Sequence, residues 1–148
     1  MKRSLALFAV FCFALIQSSA TAVPGDSDEA KKELKLFQGK WDAIGGQSFD
    51  GVVPTDIELQ LTSLEVDGDQ FTLKTGSLTV KGAFSIDPTK KPKTIDVYFG
   101  DNKDNPMRGI YVIDGDTRKS CFAKPGKDRP DKFRKENEFL INEWRAVK

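Results

Sequence analysis

The sequence predicts an all-β protein, an eight-stranded antiparallel up-and-down barrel preceded by one short helix. Two observations predict this fold. From residue 39 onwards, short segments alternate apolar and polar side chains, as strands with one buried face do. Glycine, proline and Asp-Gly turns separate those segments. Such segments joined by short links suit a meander that closes on itself, because closure leaves no strand edge unpaired.

The first 22 residues have the composition of an export signal. Lys2 and Arg3 precede an uncharged apolar run over residues 5–16, and Ala20-Thr21-Ala22 fits a small-residue cleavage site. We therefore predict a signal peptide over residues 1–22 and a mature chain that starts at Val23 and is periplasmic or secreted. The apolar run is shorter than the roughly 20 residues of a spanning helix, so no stable membrane anchor is expected.

Composition narrows the classes of function. The chain has 23 basic and 22 acidic side chains and no histidine. A mature chain without Lys2 and Arg3 is close to neutral, which argues against a nucleic-acid binder, since such a protein needs a dense cationic face. The lack of histidine excludes Ser-His and Cys-His nucleophile pairs and the commonest zinc sites. Cys121 is the only thiol outside the signal, and we expect it to be a buried apolar side chain rather than a reactive thiol.

Residues 23–38 are predicted to form an exposed arm and a short amphipathic helix. The helix should cover residues 27–37, with Asp26 and Glu29 forming a capping box at its N-terminus. Its apolar face should lie against one end of the barrel. Residues 39–148 then form the barrel. The first strand, residues 40–47, contains a Gly45-Gly46 pair that indicates a bulge or a sharp bend. The second strand is predicted to begin near Asp56, because apolar and polar residues alternate from there to residue 62.

The middle strands have a clear inward face. Asp67-Gly68-Asp69 and Asp114-Gly115-Asp116 are predicted hairpin turns. Strand seven, residues 117–123, has no clear parity because neighbouring Cys121 and Phe122 both suit the core. The last strand covers about residues 138–147. The residues predicted to face inward from strands three to six are Phe71, Leu73, Leu78, Val80, Gly82, Phe84, Ile86, Ile95, Val97, Phe99, Met107, Tyr111 and Ile113.

Four sequence motifs resemble a known family. Gly39-Lys40-Trp41, which follows a short helix, resembles the first signature of the lipocalin and calycin barrels. Residues 36–41, together with residues 87–96, residues 109–111 with 114–117, and residues 121–130, are similar to the lipocalin-like domain family of planctomycete bacteria. The resemblance covers nearly the whole mature chain and implies a lipocalin-like barrel without an established activity. In lipocalins a late basic residue packs on the signature tryptophan, so Arg145 is expected to lie over Trp41.

The leading functional prediction is non-enzymatic binding of a small apolar or amphipathic ligand at the barrel mouth, with no cofactor and no metal. The residues predicted to line or flank that site are Trp41, Phe71, Phe84, Phe99, Tyr111, Lys127 and Arg129. Trp41 also suits a plug that closes one barrel end. In the proline-bounded loop over residues 124–130, Lys127 and Arg129 could meet an anionic group at the rim.

Three further interpretations compete with ligand binding. A filled barrel could serve as a structural or protein-interaction module, and facing carboxylates could make a hydrolase. The acidic turns, including residues 101–105, offer the oxygen ligands that calcium prefers. Turn formation explains them more simply, because Asp, Asn and Gly are the usual turn residues. The sequence leaves the oligomeric state open.

Overall fold

The computed structural model describes residues 27–100 and 104–148. The predicted export signal, Asp26 and part of the acidic stretch over residues 101–105 therefore lie outside the described residues. The elements are α1 (Asp28–Phe37), β1 (Gly39–Gln47), α2 (Asp56–Gln60), β2 (Thr62–Asp67), β3 (Gln70–Thr75), β4 (Leu78–Asp87), β5 (Thr94–Phe99), β6 (Met107–Asp114), β7 (Thr117–Ala123) and β8 (Phe139–Ala146).

The strands form the predicted closed barrel, in the order β1 to β8, with β8 returning to pair with β1. Every neighbouring pair is antiparallel. The register of β1 against β8 shifts between Ala43 and Gly45, which confirms the predicted bulge. Gly68 and Gly115 have φ angles of 62° and 59°, the left-handed conformation that the two Asp-Gly turns require.

The predicted second strand is wrong over residues 56–60. That segment forms α2, and β2 begins only at Thr62. Thr55 caps the helix: the Glu58 amide donates to Thr55 Oγ1 at 3.3 Å, and the Thr55 amide donates to Glu58 Oε2 at 2.7 Å. This reciprocal capping box favours a helical turn over a strand. Ile57 is 69% exposed, so the alternation in this segment does not mark a buried face.

α1 begins at the cap residue Ser27, whose Oγ accepts a hydrogen bond from the Ala30 amide at 3.1 Å. The predicted helix over residues 27–37 is thus confirmed, but the prediction that Asp26 and Glu29 start it is wrong, because the N-cap is Ser27. Ala30 and Phe37 are buried, and Leu34 packs against the core. The apolar face of α1 lies against the barrel, as its amphipathic pattern predicts.

Side-chain parity follows the prediction in β5 and β6. Ile95 and Val97 are buried, Tyr111 belongs to the interior cluster, and Met107 and Ile113 pack against that cluster. Leu78 departs from the prediction, because it starts β4 at the barrel margin, where its side chain is exposed.

Both faces of β7 are covered, which explains its unclear parity. Phe122 points into the barrel with the main core, whereas Cys121 packs outside the barrel with Ile110 and Ile141. The connection from β7 to β8 covers this outer cluster with Phe133. Cys121 is a buried apolar side chain, as expected, and desolvation raises the pKa of its thiol. A raised pKa disfavours the reactive thiolate.

The two ends of the barrel differ. α1 lies at the end where β1 starts, together with the short turns from β2 to β3, β4 to β5 and β6 to β7. We call this the closed end. The opposite end, the mouth, carries residues 48–61 with α2 and the connections from β5 to β6 and from β7 to β8. Among the described residues, no helix combines the length and apolar character that crossing a membrane needs.

Candidate functional site

Phe37 plugs the closed end of the barrel. Its side chain is 1% exposed, and its ring centroid lies 5.3 Å from that of Phe84 and 5.1 Å from that of Tyr111. The Trp41 indole donates a hydrogen bond from Nε1 to the Phe37 carbonyl at 2.8 Å. This bond satisfies the polar end of a buried indole and joins the last residue of α1 to β1.

A charged residue packs against this plug. Arg118 of β7 is 6% exposed, and its guanidinium carbon is 4.8 Å from the Phe37 ring centroid and 4.6 Å from the Trp41 centroid. Burial lowers the pKa of Arg118 to about 9, because desolvation disfavours the charged form. The Phe37 and Trp41 rings stabilise the charged form of Arg118, since a cation is attracted to the negative face of an aromatic ring.

A second polar group fixes α1 to the barrel. Glu33 Oε1 accepts from Lys93 Nζ at 2.6 Å and from the Tyr111 hydroxyl at 3.3 Å. Burial and the Glu33 carboxylate raise the pKa of Tyr111, so its hydroxyl remains a neutral donor. The Glu33 carboxylate is therefore engaged with Lys93 and Tyr111 and does not neutralise Arg118.

A cavity of about 250 Å³ occupies the barrel lumen above Phe37 and Arg118. Its walls are mostly apolar, with rings from β3, β4, β5 and β6. The aromatic and sulfur-bearing lining residues are Phe37, Phe71, Phe84, Phe99, Met107, Tyr111, Phe122 and Trp144. An apolar cavity with a few polar groups is the usual form of a small-molecule site.

Three polar groups of the cavity lie together on β7 and β8, apart from the threonines Thr62 and Thr75 on β2 and β3 and the Tyr111 hydroxyl on β6. Arg118 and Ser120 are successive inward residues of β7, and Asn142 of β8 pairs in register with Ser120. Within the described part of the chain, these three side chains have no hydrogen bond or ion pair. Most buried polar groups in proteins are paired. We call Arg118, Ser120 and Asn142 the polar patch of the cavity.

Two glycines enlarge the space available to cavity rings. A Cβ atom placed on Gly82 of β4 would stand 2.5 Å from Cζ of Phe71, and one on Gly109 of β6 would stand 2.4 Å from Cδ1 of Phe122. Real Cβ atoms do not approach so closely, so these rings occupy the space that the missing side chains leave. The prediction that Gly82 faces inward fits this contact.

The predicted site residues fall into two groups. Phe71, Phe84, Phe99 and Tyr111 line the cavity. The other three, Trp41, Lys127 and Arg129, are not among its lining residues.

Each of the three lies elsewhere for a physical reason. Trp41 is buried at the closed end, in contact with Arg118. Lys127 is exposed on the connection from β7 to β8. Arg129 lies outside the barrel, where its Nη1 is 2.7 Å from Asp96 Oδ1 and donates to the Ile95 and Gly109 carbonyls. Its donors are therefore used to hold the loop on the outer surface of β5 and β6.

The expected contact between Arg145 and Trp41 is wrong. Arg145 is exposed, and in β8 its neighbours across the sheet are Asp42 and Thr117. Arg118 supplies the guanidinium over Trp41 instead. Arg145 follows the inward residue Trp144 directly, so strand alternation directs its side chain outward.

The mouth has an apolar rim. Residues 48–61 and the adjoining strand ends expose Val52, Val53, Ile57, Leu61, Leu78 and Phe99. A second pocket of about 270 Å³ lies beneath residues 48–61, and it shares Thr62, Thr75, Leu140, Asn142 and Trp144 with the lumen cavity. The two spaces adjoin each other at this end.

Among the described residues, no group of three or more Cys, Asp or Glu side chains is placed to hold a metal ion. Comparisons of the chain with protein-family models, with curated proteins and with solved structures find no match. The similarity to the lipocalin-like family of planctomycete bacteria therefore stays a prediction from sequence motifs, alongside the closed eight-stranded barrel that the structure shows.

Proposed function

We propose that this protein is an exported, non-enzymatic carrier that binds a small apolar or amphipathic molecule in the barrel lumen. The observation that supports the proposal is the lumen cavity of about 250 Å³, with aromatic walls, a plugged floor and an apolar rim. Burial of apolar ligand surface in such a space is favourable by about 25 cal/mol per Å².

The cavity volume limits the size of the ligand. An apolar cavity of about 150 Å³ accommodates benzene, which has six carbons, so about 250 Å³ corresponds to roughly ten carbon atoms. This volume lies just below the range of about 300–1,000 Å³ that is usual for drug-sized ligands. A medium-length chain or a one- to two-ring compound therefore matches the space.

The competing interpretations have less support. A filled structural module would have side chains where the cavity lies. A carboxylate hydrolase would need two facing acids, and the residues around the lumen cavity include neither Asp nor Glu. Ligand binding is the function that uses the cavity as it stands.

Val97→Phe tests the lumen as the binding site. Val97 is buried and lines the cavity, so a larger side chain occupies ligand space. We expect the affinity for decan-1-ol to fall at least about tenfold, which corresponds to about 1.4 kcal/mol. Tryptophan fluorescence titration measures it, because Trp144 lines the cavity.

Val112→Phe is the matched control, since Val112 is an exposed residue of β6. This variant should bind decan-1-ol within about twofold of the unchanged protein, as surface substitutions usually have small effects. Equal affinity of Val97→Phe and Val112→Phe would place binding outside the lumen and contradict the proposal.

Export has its own test. We expect the protein recovered from outside the cytoplasm of a bacterial host to have the intact mass of residues 23–148, because Ala20-Thr21-Ala22 fits a cleavage site. Recovery of the full-length chain from the cytoplasm alone would contradict the export part of the proposal and leave the binding part standing.

A further inference from the structure

The least expected feature of the cavity is a buried cation without an anion. Arg118 is 6% exposed and borders the cavity, and no acidic side chain of the described residues lies within ion-pairing distance of it. A buried charge is costly unless it is paired and hydrogen-bonded. The contacts with Phe37 and Trp41 stabilise the cation through the ring faces, yet they leave its N–H donors unused.

We propose that Arg118 is the anchor for the carboxylate of an amphipathic ligand, which binds with its head at the closed end and its chain toward the mouth. This inference rests on the proposed binding function and names the ligand class for the same cavity. A carboxylate accepts hydrogen bonds from a planar guanidinium in a bidentate geometry, and such charge-assisted bonds are among the strongest in proteins.

The rest of the polar patch supports this orientation. Ser120 lies two residues beyond Arg118 on β7, about 7 Å further along the inner face, and Asn142 is its partner across the sheet. Their unused hydroxyl and amide groups can donate to a second carboxylate oxygen or to a bridging water. Polar groups on one wall of an otherwise apolar cavity set the orientation of a ligand.

The dimensions also agree. From Arg118 to Phe122, β7 rises about 13 Å at the usual spacing of a strand. Above the polar patch the walls are mostly apolar, with Leu73, Val97 and Met107 among the lining residues and with Thr62 and Thr75 only at the mouth. A head group at Arg118 therefore leaves a saturated chain in contact with apolar side chains up to the mouth.

The test compares three probes of equal chain length: decanoate, decan-1-ol and decylammonium. Binding to the full protein is measured by isothermal titration calorimetry at pH 7.5, below the concentrations at which the probes aggregate. We expect decanoate to bind about 10- to 100-fold more tightly than decan-1-ol, because one charge-assisted pair is gained. Decylammonium should bind most weakly, since like charges repel.

Arg118→Met then removes the cation while keeping a long, unbranched side chain. The variant should bind decanoate and decan-1-ol with affinities within about threefold of each other. Arg145→Met, a loss of charge at an exposed residue, should keep the full preference for decanoate. A structural role for Arg118 alone would not produce a change that depends on the charge of the probe.

Each result has a defined meaning. Equal binding of decanoate and decan-1-ol to the unchanged protein would overturn the carboxylate anchor and leave the proposed carrier function intact. A decanoate preference that survives in Arg118→Met would also overturn it. Failure of all three probes to bind would count against the carrier function itself. The comparison of probes on the unchanged protein stands even if Arg118→Met does not fold.

Discussion

Phe37→Ala is expected to lower the free energy of unfolding by about 3–5 kcal/mol. Truncation of a fully buried aromatic residue removes its apolar contacts and leaves a cavity behind. Phe37 is 1% exposed and contacts the rings of Phe84 and Tyr111 and the guanidinium of Arg118. Its loss removes the plug of the closed end, so α1 should also detach more readily. Chemical denaturation followed by circular dichroism measures the effect.

Leu36→Ala is the matched control for this prediction. Leu36 is the preceding residue of the same helix and is 53% exposed. Its truncation should change the free energy of unfolding by less than about 1 kcal/mol, because little apolar area is lost. If the two variants are equally stable, α1 does not seal the barrel.

Arg118→Met is expected to raise the free energy of unfolding by about 1–3 kcal/mol, whereas Phe37→Ala lowers it. Desolvation of a buried ion costs several kcal/mol, and replacement of buried charges by apolar residues of similar size is often stabilising. Against this stand the two ring contacts, each worth about 2 kcal/mol or more when desolvated. The methionine side chain also packs well against aromatic rings.

Arg145→Met should change the free energy of unfolding by less than about 0.5 kcal/mol relative to the unchanged protein, because Arg145 is exposed. Thermal and urea unfolding of the unchanged protein and the two variants, all without ligand, measure these differences. A destabilised Arg118→Met would mean that the guanidinium stabilises the barrel end. A stabilised variant that has lost its preference for decanoate would identify a residue retained for binding at a cost in stability.

The barrel itself could be predicted from the sequence because most of its strands alternate apolar and polar residues. The inward residues of β5 and β6 agree with the pairing of these strands. Each Asp-Gly turn agrees with the register of the hairpin that it closes, β2 with β3 and β6 with β7. Rules of this kind are local, and they agree with the global fold wherever one strand face is buried and the other is wet.

The prediction failed where that condition does not hold. Residues 56–60 alternate like a strand, yet five residues cannot distinguish the two periods, and Thr55 with Glu58 carried the better signal of a capped helix. In β7 the outer face is covered by the connection to β8, so alternation gave no parity. Only tertiary structure reveals that Cys121 belongs to a separate outer cluster.

The polar patch was missed for a related reason. The expectation that charged residues face water correctly places Arg108 on the exposed side of β6. The same expectation fails at Arg118, and functional sites are where such failures concentrate. The sequence does contain a signal for the patch: Arg118, Ser120 and Phe122 are spaced two residues apart, so their side chains lie on the same face of β7. Assigning that parity required the position of Phe122 in the core.

Gly82 and Gly109 set the capacity of the lumen without lying where a guest would touch them. Each gives a neighbouring aromatic ring a recess in the wall. One added methyl group would stand 2.4 Å from the Tyr98 carbonyl oxygen at Gly82, or 2.7 Å from the Cys121 carbonyl oxygen at Gly109, so the neighbouring strand would have to shift together with the ring. The width of the lumen is therefore tied to the strand pairing at these two positions, and neither can change without the other.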